Sequence, residues 1–148
     1  MVSRLARLPL FLSALWWGSQ TALGLLVVPT LFAQLPTASL AGNLAARLFS
    51  QQNWLAAACA GLLLLWRSRS AHRQSEPTSA GVVWLLAGML LAMLLEYAVM
   101  PRIVAREDLA FWHRVGTLLF GVQWLCAGWA LWQCAAPVLP DVRSENAS

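Results

Sequence analysis

The chain has 148 residues, 59% of them apolar and 11% charged, and its net charge of +4 comes from ten Arg and no Lys. A soluble domain carries roughly 25% charged residues, so lipid is the expected solvent for most of this chain. The Arg residues flank apolar blocks and form no basic face with interleaved stacking aromatics, which excludes a nucleic-acid surface.

Taken in order, the first apolar block covers about 8–32, behind Arg4 and Arg7. It is long for a signal peptide and no A-x-A cleavage site follows, so a retained first span is expected. Ser13, Trp17, Gln20 and Gly24 recur at spacings of four, three and four, which puts them on one helix face. Small and polar residues are what membrane helices pack with, so that face should meet other helices. Pro29 is placed to kink or finish the span.

Pro36, Thr37 and Ser39 form a turn, with Thr37 or Ser39 suited to cap a new helix. The apolar run Trp54–Trp66 has thirteen residues, short of the ~20 a span needs. The second span therefore extends back to about 44, giving 44–66, and brings Gln51, Gln52 and Asn53 to membrane depth with Arg47 near the surface. A polar loop with Arg67, Arg69, His72 and Arg73 follows, then a third span at about 81–100 and a fourth at about 111–136. The tail, 137–148, has the composition of a disordered segment.

The architecture this predicts is all-α, an integral membrane four-helix bundle. Six Arg fall on the side of the termini and the 67–79 loop, against four on the other, which predicts cytoplasmic N and C termini. Arg without Lys, with Ala, Leu and Trp richness, suits a bacterial cytoplasmic (inner) membrane.

Chemistry concentrates in the connector 96–114, which holds seven charged or His side chains: Glu96, Arg102, Arg106, Glu107, Asp108, His113 and Arg114. Glu96 lies about one turn inside the third span, four residues beyond Ala92 and eight beyond Gly88, so it should face the bundle. A carboxylate there costs a few kcal/mol unless paired or protonated. Arg47, Arg102, Arg114 and His113 are the partners predicted at its depth, forming one polar cluster that is either a structural lock or a functional site. Gln20 and Gln123, near the middle of spans one and four, are placed to hydrogen-bond across the bundle or to line a polar path. Asp108 suits the N-cap of the last span. Trp66, Trp84, Trp112 and Trp132 fall near the predicted interfaces as an aromatic belt.

Cys59, Cys126 and Cys134 sit in apolar blocks without CxxC or Cys/His spacing, so neither a disulfide framework nor a metal site is expected. No motif for a phosphate loop, nucleophile elbow or HExxH helix is present, and neither catalytic residues nor cofactors are predicted.

Several short features occur in a fixed order: Trp17-Gly18, Val28-Pro29-Thr30-Leu31-Phe32, Ala41-Gly42, Leu48-Phe49, Pro101-Arg102 and His113. Together they resemble the transmembrane protein 205-like family of small membrane proteins, which implies four spans and brings no assigned reaction or substrate. In that family a Ser is expected three residues after the His, whereas this chain has Gly116 there and Thr117 beside it. Three function classes follow. One is a non-enzymatic protein that binds or helps move a small solute or ion through the outer-leaflet polar cluster. Another is an assembly subunit packing on a membrane-protein partner or on a second copy within the lipid bilayer. The last is a redox or haem protein using His113 as an axial ligand.

Overall fold

The structure, a computed structural model, describes residues 7–71 and 79–135. Arg4, the His72–Arg73 end of the polar loop and the expected tail at 137–148 lie outside the described residues. Every described element is helical, and four helices are long and apolar enough to cross a membrane. They are α1 (Leu8–Gln34), α2 (Ala38–Ala71), α3 (the span Gly81–Val104, whose helix starts at Ser79) and α4 (Leu109–Ala135). This is a multi-pass membrane four-helix bundle.

Each helix packs on its neighbours in chain order, and α1 closes the ring against α4. The residues that meet are small: Ala41, Ala45, Ala56 and Ala60 on α2, Gly88 and Ala92 on α3, and Ala127 and Ala130 on α4 are all buried. Large side chains such as Leu25, Leu90 and Leu118 point outward, where lipid rather than water is their solvent. This is the arrangement expected when close backbone approach, not hydrophobic exclusion, joins the helices. Leu63, Leu85, Leu95 and Val99 fill in between them, and Trp16 is the largest of the buried side chains, a wholly buried indole in the core. It is accommodated because Gly88 faces it, and a Cβ at Gly88 would run into its ring.

The connections are short and explained by their residues. Thr37 Oγ1 accepts the Leu40 N–H at 3.2 Å and so caps α2, which therefore begins at Ala38, six residues before the expected start. Between α3 and α4, Arg106 (φ 57°) and Asp108 (φ 35°) take left-handed backbone in a four-residue turn. Asp108 is one of the residue types that tolerates this region. Its carboxylate accepts the Phe111 N–H at 3.4 Å, consistent with the cap that its sequence position suggests.

Two helices contain a π turn, Leu23–Val27 in α1 and Leu95–Val99 in α3. In each, the N–H of the residue immediately before a proline bonds five residues back: Val28 to Leu23 O ahead of Pro29, and Met100 to Leu95 O ahead of Pro101. A proline supplies no N–H, and its ring presses on the carbonyl four residues earlier, so the wider turn is the local accommodation. Both turns carry the same text, Leu-x-x-x-Val-x-Pro. The helices that follow share a second text, Leu48-Phe49-x-x-Gln52 on α2 and Leu119-Phe120-x-x-Gln123 on α4. Phe49 and Phe120 meet edge to face with centroids 5.1 Å apart. Hairpins α1–α2 and α3–α4 thus share two short texts and a π turn, with the helices that carry them opposite each other in the ring.

Candidate polar site at the second π turn

Glu96 sits on the π turn of α3, half-buried, against α2. Its Oε1 accepts the Ser50 hydroxyl at 2.5 Å, and its Oε2 accepts the Asn53 amide at 3.2 Å. Both donors are neutral. The inward stripe of α3 runs through Leu85, Gly88, Ala92, Leu95 and Val99, which are buried, and Glu96 lies on the flank of that stripe. The turn therefore holds the carboxylate at the α2–α3 interface and not on the bundle axis.

The cationic partners expected for Glu96 are elsewhere. Arg102 donates to Ala98 O at 2.5 Å on its own helix and lies over the Trp112 ring at 4.5 Å, two contacts available to a guanidinium that stays near the surface. Arg106 donates to Ser39 Oγ at 2.7 Å, tying the α3–α4 turn to the start of α2. Arg47, His113 and Arg114 are exposed, and none of them bonds to Glu96. His113 contributes its backbone carbonyl to the Thr117 hydroxyl at 2.8 Å. The residues that complete the Glu96 site, Ser50 and Asn53, lie three apart on one face of α2, a spacing that the polar run around Gln51 already contained. Gln51 itself is exposed.

A second polar group occupies the bundle centre. Gln20 and Gln123 are wholly buried, and Gln20 Nε2 donates to Gln123 Oε1 at 2.8 Å. Gln123 Nε2 donates in turn to Gly88 O at 3.3 Å, so one amide links α1, α4 and α3. Gln52, next to Asn53, donates to Ser19 Oγ at 3.0 Å, next to Gln20. The polar residues thus follow one another through all four helices: Glu96 to Asn53, its neighbour Gln52 to Ser19, and its neighbour Gln20 to Gln123. Trp124 Nε1 donates to Thr21 Oγ1 at 2.8 Å, and its ring lies 5.5 Å from that of Trp17.

Among the described residues, three buried side-chain polar atoms have no partner: Gln20 Oε1, Asn53 Oδ1 and Trp16 Nε1. Two of the three are acceptors, and both belong to the polar run. Among the described residues no group of three or more His, Cys, Asp or Glu side chains comes together. Cys59 and Cys126 are buried as free thiols, and Cys134 is partly buried.

Residues 11–111 match a family described as a domain of unknown function, DUF4149. The chain belongs to this family. The DUF4149 match takes in Gln20, Ser50, Asn53 and Glu96, and it ends before His113 and Gln123. No curated protein and no solved structure matches the chain.

Proposed function

We propose that this DUF4149 protein is a non-enzymatic, four-span protein of a bacterial cytoplasmic membrane that binds, and helps move, a small solute or ion through the polar cluster at Glu96. One observation carries the reading: a carboxylate within a membrane span is held by two neutral donors, Ser50 and Asn53, and among the described residues no cationic side chain bonds to it. A purely structural lock would be expected to pair Glu96 with one of the nearby Arg side chains, because an uncompensated charge in the span is costly. The Arg distribution supports cytoplasmic termini, which puts the Glu96 end toward the outer leaflet. The finer resemblance to the transmembrane protein 205-like family rests on the short features between Trp17 and His113 and adds no reaction.

The test is ion flux into proteoliposomes loaded with a pH-reporting dye, under an imposed membrane potential. Wild-type protein should give flux above empty liposomes, and Glu96→Gln should abolish it while eluting as the same monodisperse species. Equal flux in wild type, variant and empty liposomes, with only a lowered melting temperature for the variant, would assign Glu96 to structure alone.

A further inference from the structure

The donor set at Glu96 defines the class of ligand. Within reach are two carboxylate oxygens and one hydroxyl oxygen, with the Asn53 amide beside them. These are hard oxygen ligands, suited to alkali or alkaline-earth cations rather than to soft or transition metals. Charge then selects among them. Glu96 supplies a single negative charge, and the other carboxylates among the described residues, Glu107 and Asp108, are exposed in the turn between α3 and α4. A monovalent cation leaves a neutral complex inside the span, whereas a divalent ion would leave a net positive charge in low dielectric. An anion or a neutral acceptor would meet the carboxylate directly and be repelled.

The amide of Asn53 supplies an independent pointer. The side chain is 2% exposed and its Oδ1 has no donor. Its Nδ2 faces the carboxylate, so a half-turn about the soft terminal torsion exchanges donor for acceptor and sets Oδ1 beside Oε2. The Ser50 oxygen keeps lone pairs available while its proton is shared with Oε1.

We propose that Glu96, Ser50 and Asn53 form a binding site for a dehydrated monovalent alkali cation at the α2–α3 interface. This rests on the reading of Glu96 as a binding carboxylate.

The experiment is thermal melting of the detergent-solubilised full chain in sodium, potassium or N-methylglucamine chloride, at equal ionic strength and fixed pH, with binding of radioactive sodium as the second readout. Sodium or potassium should raise the wild-type melting temperature saturably above the bulky organic cation. Glu96→Gln should remove that difference, and Asn53→Ala should weaken the apparent affinity by about tenfold, the equivalent of one lost charge-assisted contact. Ser50→Ala, which removes a hydroxyl and leaves carboxylate and amide in place, guards against a Glu96 variant that fails to fold; it should bind sodium more weakly than wild type. The proposal is overturned by identical melting in all three salts, by a cation effect that persists in Glu96→Gln, or by a response that follows pH alone. If cation specificity is missing while Glu96→Gln still abolishes flux, the ligand class falls and the function stands. If sodium binds and no flux occurs, the site stands and the movement of ions falls.

Discussion

The two π turns are the same backbone device put to different ends. Both follow from Leu-x-x-x-Val-x-Pro, and both widen the helix one turn ahead of a proline. In α1 the second position is Gly24, and the neighbouring helix fills the space: a Cβ there would lie 3.5 Å from Phe120. In α3 the same position is Glu96, and the facing residues of α2 are polar. Where α2 has Ser50 and Asn53, the matching text on α4 has Gly121 and Trp124. Trp124 donates one turn earlier, to Thr21, and closes its interface with an indole. Two turns alike in text and backbone bonding therefore carry a polar cluster in one hairpin and aromatic packing in the other.

The largest expected effect on this contrast comes from Glu96→Leu. It strands the Ser50 hydroxyl and the Asn53 amide within the span and should cost about 1–3 kcal/mol in a denaturation assay, together with all cation dependence. Next is the pair Pro101→Ala and Pro29→Ala. Each restores an N–H and lets its turn tighten toward α register, which re-aims the residue on it. Pro101→Ala should weaken cation binding by about tenfold or more, while Pro29→Ala should leave it within about twofold; equal effects would remove the distinction between the turns.

A smaller effect is expected at the centre, where a double-mutant cycle on Gln20→Leu and Gln123→Leu should give a coupling of about 0.6 kcal/mol, and no more than about 1.7. Cation binding should be the same in both single variants if the central amides only pack helices. Gly24→Ala should change stability by less than about 0.5 kcal/mol, since its new methyl makes ordinary contact with Phe120.

Much of the fold was legible because lipid imposes a simple code: apolar blocks of about 20 residues bounded by Arg, Pro and polar turns. The Gln20–Gln123 bond was legible for the same reason, since two amides at equal depth in hydrocarbon have few other partners. Helix limits were less so. Span two was expected at 44–66, and the helix runs Ala38–Ala71, because a capped helix continues past the apolar stretch into the interface on both sides. The packing face of α1 also differs in detail: Ser13, Trp16, Gln20 and Leu23 are buried, while Trp17 and Gly24 lie at its edge.

The partners of Glu96 were the least legible part. Counting charges by depth pointed to Arg47, Arg102, Arg114 and His113, but long cationic side chains find water, backbone carbonyls or an aromatic face at the surface, as Arg102 does. Short polar side chains on the helix actually in contact, Ser50 and Asn53, take the carboxylate instead. That outcome depends on which helix faces flank α3, and on the buried stripe passing from Ala92 to Leu95 and Val99, which leaves Glu96 beside it. The first is not fixed by helical periodicity alone.

The claim that Glu96 is a binding carboxylate is tested most directly by infrared difference spectroscopy of the protein in lipid, exchanging sodium for N-methylglucamine. A carboxylate-stretch difference band should appear in wild type, persist in Glu107→Gln and vanish in Glu96→Gln. A spectrum without such a band, or one in which the band survives in Glu96→Gln, would contradict the account.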